Sequence, residues 1–293
     1  MRREPKKAES LIEAYYELMK PSITFMILIS TTLGYYMGGN GIANYIHFFY
    51  TILGSCLISS GSGALNHFAE ADSDKIMRRT NLRPIPAGLI SAENAMLFGI
   101  ALILSGSAIL YWIINPLTCL LALITSLMYL FIYTPLKKLT WLNTSVGAIP
   151  GSIPPIGGWV AATGRLDPEA WILFAILFFW QHPHFYAIAL MFKDDYKKAG
   201  LKMLPVTEPD GSRTNRQIIW HSFLLIPVSV VPVYIGILGM IYFWSAIILG
   251  VGYLISGFIL AKQYSVDNAR FVLRVSVFYL PILFLTIIID KIL

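Results

Sequence analysis

NAMLFGIALILSGSAILYWIINPLTCLLALITSLMYLFIY, residues 94–133, runs for forty positions without one Asp, Glu, Lys or Arg. Its one break is Asn115-Pro116. A bilayer core is about 30 Å thick and takes about 20 helical residues to cross. The stretch therefore has the length of two crossings joined by a two-residue connection. The apolar residues are continuous rather than alternating, which selects helices over barrel strands. A helix also satisfies its own backbone hydrogen bonds, which lipid cannot do for it.

The same pattern extends in both directions. Candidate spans fall at 22–39, 46–66, 94–114, 116–133, 143–162, 170–191, 216–236, 240–261 and 271–290. The 293-residue chain is 56% hydrophobic and 13% charged, with a mean hydropathy of +0.66. A soluble domain carries about a quarter charged residues. The expectation is an all-α polytopic membrane protein: one domain over 1–293, nine transmembrane helices, and a central cavity open to the cytoplasmic side.

Orientation follows from the cations, because Lys and Arg concentrate in cytoplasmic connections. The N-terminus and segments 67–93, 134–142, 192–215 and 262–270, with the adjoining helix starts, hold 20 of the 22; only Arg165 and Lys291 fall on the other side. Nine spans then put the N-terminus in the cytoplasm and the C-terminus outside a cell membrane. The net charge of +6 is this positive-inside signature plus attraction to anionic lipid, and calls for no nucleic acid. Residues 1–20 lack an apolar core and a cleavage site, so they read as a cytoplasmic amphipathic segment and not a signal peptide. Cys56 and Cys119 stand singly inside spans, where small apolar packing is the expected role.

Polar investment is concentrated in few places. In NHFAEADSDKIMRRTNLRP (66–84), Asn66, Glu70, Asp74 and Arg78 recur every four residues. On a helix continuing from the second span they form one polar stripe. Asp72 points the other way, as a solvated residue. Two carboxylates one turn apart repel unless a cation sits among them. All-oxygen ligands suit a hard divalent ion such as Mg²⁺, held by one or two carboxylates plus substrate phosphate. Arg78, Arg79 and Arg83 follow at once, and guanidinium groups match phosphate oxygens. The competing reading is a charged helix end, with Lys75 and Arg78 pairing Glu70 and Asp74.

The sixth span repeats the theme. Lys193, Asp194 and Asp195 lie just past it, on the same predicted side, where the two acidic sets could face one another across a cavity. His182 and His184 sit inside that span, either contacting a porphyrin or a proton, or packed against a neighbouring helix. His47 and His221, near span ends, read as interface residues. The small residues at 59–64 and in GAIPGSIPPIGGW (147–159) fit close helix packing first and a ligand cavity second. Pro150, Pro154 and Pro155 would bend that helix.

N-x-x-x-E-x-x-x-D-x-x-M-x-R-T-x-x-R-P, here Asn66 to Pro84, resembles the first acidic motif of the intramembrane prenyltransferases. YTPLKKLTWLNTSVGAIPGSIPPIGGW, FFWQHPHFYAIAL and KDDYKKAGLKMLP resemble the protoheme IX farnesyltransferase (heme O synthase) branch of that family. The resemblance runs from about Lys20 to Pro205 and covers four blocks in order. It implies transfer of a farnesyl group from farnesyl diphosphate to a vinyl group of heme B. Water is added and diphosphate released, giving heme O to supply a downstream heme A synthase or terminal oxidase. Carried over by position, Asn66, Glu70 and Asp74 would hold Mg²⁺–diphosphate, with Asp194 and Asp195 as the second acidic region. Arg79, Arg83, Lys137 and Lys193 would bind diphosphate oxygens, and His184 matches the heme branch better than His182. Two positions depart from the wider family. Glu70 stands where aspartate is commoner, and Met191 and Asp195 occupy the spacing of a second D-x-x-x-D motif. Rival readings are a membrane prenyltransferase for a quinone precursor or glycerol lipid, and a non-catalytic heme-binding or transport protein.

Overall fold

The computed structural model describes residues 8–292 and is helical throughout, with no strand among the described residues. Residues 1–7 of the expected N-terminal segment lie outside them. The rest of that segment forms α1 (Leu11–Leu18), N-capped by Ser10, whose hydroxyl accepts from the Glu13 N–H. Ala14 and Leu18 are buried while Leu11, Ile12 and Tyr16 stay exposed, as an amphipathic helix requires.

Pro21 at the first helical position starts α2 (Pro21–Gly38). Asn44 caps α3 (Tyr45–Ile76) through the N–H groups of Ile46 and His47. At 1.5 Å per residue the 32 residues of α3 span about 48 Å, well beyond a hydrocarbon core. Its polar C-terminal turns therefore lie at one end of the bundle. The opening forty-residue stretch becomes α4 (Ala92–Ile109) with a π-helical extension to Ile114, then α5 (Pro116–Leu127). Asn115 makes the turn: its Oδ1 accepts from the Thr118 N–H at 2.7 Å and its Nδ2 donates to the Val160 carbonyl at 3.1 Å. A second π-helical segment (Met128–Tyr133) leads into α6 (Thr134–Leu139).

The chain continues as α7 (Asn143–Ser152), α8 (Pro154–Thr163), α9 (Ala170–Met191), α10 (Lys193–Lys198) and α11 (Leu204–Thr207). Three long helices close it: α12 (Ser212–Tyr234), α13 (Met240–Lys262) and α14 (Val266–Ile292). Helix α9 is central, packing on α7, α12 and α14, and most of the buried apolar core surrounds it. Trp112, Phe131, Trp244, Ile248 and Phe278 point outward, an apolar coat that suits lipid.

Seven helices among the described residues are long and apolar enough to cross a membrane, where nine spans were expected. The protein is a multi-pass membrane protein, and the difference has two local causes. Helix α2 has 18 residues where the seven spans have 22 or more, and it carries Thr24, Ser30 and Thr31 buried among its neighbours. Span 143–162 is not one helix: Pro154 and Pro155 have no N–H to donate, and the helix breaks at Ile153 into α7 and α8. Gln181 of α9 reaches into the break, donating to Ser152 Oγ at 2.8 Å.

The small residues pack helices closely, as preferred. A Cβ on Gly158 would lie 1.9 Å from the Thr31 carbonyl oxygen, and one on Gly34 equally close to that of Pro155. The G158A variant is therefore expected to part α2 from α8 and lose about 1–3 kcal/mol. Thermal unfolding in detergent checks this, and an unchanged midpoint would refute the close contact.

Candidate active site

The end of α3 gathers the expected stripe. Asn66 and Asp74 are buried, and the Glu70 side chain is 15% exposed. Each meets a partner from another segment. Lys137 Nζ on α6 donates to Glu70 Oε1 at 2.7 Å. Arg83, just past the helix, holds both oxygens of Asp74, at 3.0 and 2.8 Å. Lys20, ahead of α2, donates through Nζ to Asn66 Oδ1. Its backbone sits at φ 50° and ψ 60°, a left-handed conformation uncommon outside glycine, which turns the chain between α1 and α2. Burial, reinforced by the nearby Arg83 guanidinium, pushes the Lys20 ammonium down to about 7.

A second layer fixes these groups. Thr134 spends its hydroxyl proton on the Tyr129 carbonyl at 2.9 Å, so it can only accept from Asn66 Nδ2, also at 2.9 Å. That bookkeeping orients the amide, aiming Asn66 Oδ1 at Lys20. The Thr134 N–H also donates to the Tyr129 carbonyl, the i−5 bond of the π-helical turn, a feature that often marks functional positions. Tyr129 and Tyr133 stack 5.7 Å apart beside the cations; Lys20 reaches the Tyr129 hydroxyl at 3.3 Å and Lys137 lies 4.5 Å above the Tyr133 ring.

The alternative pairing of a simple charged helix end does not form. Lys75 pairs with exposed Asp72 at 3.5 Å, not with Glu70. Arg78 leaves the stripe because α3 stops at Ile76, and it is exposed. Arg79 is used differently from expectation. It donates to the Tyr196 hydroxyl at 3.2 Å and covers the Phe192 ring at 4.8 Å, clasping the two polar connections together. Met77 joins Tyr196, Leu201 and Met203 in an apolar cluster beneath. The Lys202 N–H donates to the Lys137 carbonyl at 2.7 Å, and Asn143 donates to the Lys202 carbonyl. The connections after α3, α6 and α9 thus meet at one end.

Their carboxylates do not meet. Asp194 is exposed, neither it nor Asp195 forms an ion pair with another described residue, and Lys193 is half-buried beside them. No group of three or more His, Cys, Asp or Glu side chains gathers at metal-ligand spacing among the described residues. The two acidic sets, expected from the sequence to share one ion, form no such cluster among the described residues. What is present is a compact set of oxygen donors on α3 only.

The histidines lie deeper. His182 Nδ1 bonds the Phe178 carbonyl at 2.7 Å and its Nε2 bonds Ser145 Oγ at 3.1 Å. His221 is not the interface residue expected: it is 9% exposed and stacks on His182, with ring centroids 3.8 Å apart and planes 10° from parallel. His184 bonds Ser276 Oγ at 2.8 Å and lies over the Trp180 ring. Two apolar grooves, of about 370 and 570 Å³, flank α13 on the outside; neither borders the acidic stripe.

Sequence reasoning missed Lys20, Tyr129, Tyr133 and Thr134 as site neighbours. A lysine abutting a span ahead of a proline was the available signal for Lys20. Tyr133 and Thr134 stand at the head of the YTPLKK block.

Residues 27–282 match the model of the UbiA prenyltransferase family. The chain is 45% identical to a protoheme IX farnesyltransferase of Solibacter usitatus over 94% of its length and 98% of the relative's. It is 39% identical to one of Koribacter versatilis, covering 96% and 94%. The fold is similar to a solved structure concerning digeranylgeranylglyceryl phosphate synthase in membranes, with a TM-score of 0.81, 19% identity and 96% and 99% of the two chains covered. It is also similar to a UbiA homolog from Archaeoglobus fulgidus bound to GPP and Mg²⁺, with a TM-score of 0.69, 20% identity and 94% and 99% covered. The chain belongs to the UbiA prenyltransferase family, in which the relatives it resembles over nearly its whole length are protoheme IX farnesyltransferases.

Proposed function

We propose that the protein transfers a farnesyl group from farnesyl diphosphate to a vinyl group of heme B, with addition of water, giving heme O and diphosphate. One observation carries the chemistry: two carboxylates and an amide oxygen on α3, met by cations from three other segments. Kinship with protoheme IX farnesyltransferases supports heme as acceptor over a quinone precursor or glycerol lipid, and supports an enzyme over a transport protein.

Asn66, Glu70 and Asp74 fit a divalent ion. Mg²⁺ characteristically takes one or two carboxylates and completes its shell with water and substrate phosphate, so three oxygen donors suffice without a protein cage. Bound there, the ion would supply charge that stabilises the departing diphosphate. Asp194 and Asp195 would serve a substrate-loaded state, from the neighbouring connection. The cations complete the site: Lys137, Arg83 and Lys20 already contact the acidic stripe, and Arg78, Arg79 and Lys193 would stand at the rim.

The allylic carbon–oxygen bond breaks with its electron pair going to diphosphate, where lysine and arginine donors offset the growing charge. The vinyl group's terminal carbon then attacks the farnesyl cation, forming the new carbon–carbon bond. The cation left beside the porphyrin ring takes up water, which gives up a proton and leaves the hydroxyl. Helix walls keep other water away until then.

In the membrane, α2 and the α7–α8 pair would complete nine crossings around a central cavity. The acidic end would face the cytoplasm with the N-terminus, in the cell membrane, as a single domain over the whole chain. Heme O would pass to a heme A synthase or terminal oxidase. Purified protein incubated with heme B, farnesyl diphosphate and Mg²⁺ is expected to yield heme O by mass spectrometry. Chelation by EDTA should abolish product and Mg²⁺ restore it. Prenylation of an aromatic acid, with heme B untouched, would reject the assignment.

A further inference from the structure

Three histidines crowd the centre of α9 and α12, and their hydrogen bonds differ in what they leave free. A carbonyl oxygen only accepts, so the 2.7 Å contact from His182 Nδ1 to the Phe178 carbonyl makes Nδ1 the protonated nitrogen. His182 Nε2 then accepts from the Ser145 hydroxyl at 3.1 Å, and both ring nitrogens are occupied.

His184 is different, and Ser276 on α14 is the reason. Ser276 Oγ lies 2.6 Å from the Leu273 carbonyl and must donate its one proton there. It has none left for His184, so across the 2.8 Å contact it accepts and His184 Nδ1 donates. The proton is thereby fixed on Nδ1, and the Nε2 lone pair makes no hydrogen bond to any described residue. Ser276 is fully buried, while His184 keeps partial access. The backbone of Ser276 serves the same ring stack from the other side: its carbonyl accepts from Trp180 Nε1 at 3.0 Å. Trp180 lies 4.9 Å from the His184 ring at 26°, and the Tyr253 hydroxyl donates to the Trp180 carbonyl at 3.2 Å. One residue on α14 thus anchors both rings, the tryptophan through its backbone and the histidine through its side chain.

We propose that Ser276 is a positioning residue that holds His184 as the Nδ1–H tautomer, so that Nε2 ligates the iron of the heme substrate. The inference rests on heme B being the acceptor. A neutral imidazole binds a metal through one nitrogen while the other donates to an oriented acceptor, and losing that acceptor typically costs 10- to 100-fold in affinity. His221 donates from Nδ1 to the Gln217 carbonyl at 2.7 Å and its Nε2 makes no hydrogen bond to any described residue, so it serves as the rival in the test.

Heme B is titrated into the purified protein in detergent, read by absorption and electron paramagnetic resonance, alongside steady-state KM values for both substrates. S276A should raise the heme Kd and the heme KM about tenfold or more and weaken the imidazole-ligated signature, leaving the farnesyl diphosphate KM unchanged. S276C, of similar shape but a weak acceptor, should behave like S276A, whereas S276T should keep the wild-type spectrum. H184A should lose the signature altogether. Wild-type heme binding in S276A, equal rises in both KM values, or loss of the signature in H221A but not H184A would each overturn the proposal. Failure of the wild type to make heme O would overturn the proposed function instead, and the heme titration would still report on Ser276 and His184.

Discussion

A protein carrying both E70Q and K137M is expected to fold nearly as stably as the wild type and to make no product. The two side chains form a pair 2.7 Å apart, 15% and 12% exposed. Removing one partner strands the other: E70Q leaves a buried ammonium and K137M a buried carboxylate, each costing about 3–5 kcal/mol. Replacing both removes the stranded charge, and such exchanges are often neutral. Stability should therefore fall in each single variant and return in the double. Turnover should follow a different rule, because in the proposed reaction the carboxylate and the ammonium would each act at the diphosphate. All three variants should lose about 10²- to 10³-fold, the scale of removing one preorganised transition-state group. Thermal unfolding and initial rates per folded protein separate the two. A double variant regaining its rate together with its stability would make the pair structural only.

The second large effect concerns Asp74. Its carboxylate is fully buried, and both its oxygens accept from Arg83 Nη1. D74N should lose turnover by about 10²- to 10³-fold. It should also destabilise the protein by about 3–5 kcal/mol, because the guanidinium loses its charged partner. D194N and D195N should behave otherwise. Those carboxylates sit on the connection after α9 with no ion pair to a described residue, so substitution should move stability by less than about 0.5 kcal/mol. Any loss of rate there reports on the loaded site and not on the fold. If D74N retains wild-type turnover, Asp74 has no place in the site.

Residues 94–133 were legible because membrane crossing is a local property: forty uncharged residues must be buried in something apolar, and helices alone satisfy the backbone there. The acidic stripe was legible for a similar reason, since positions 66, 70 and 74 share a face on any continuous helix, and α3 does continue to Ile76. Arg78 was misplaced on that stripe because nothing local announces where a polar helix end stops.

Which cation meets which carboxylate was settled by tertiary packing. Lys137 lies 67 positions from Glu70 and Lys20 lies 46 from Asn66, while the nearer Lys75 turns to Asp72. A side-chain pair across helices depends on how those helices cross, and hydrophobic patterning carries almost no information about crossing geometry. His221 against His182 and Ser276 beneath His184 have the same origin. Burying apolar faces brought those helices together, and their few polar groups had to find partners wherever packing left them.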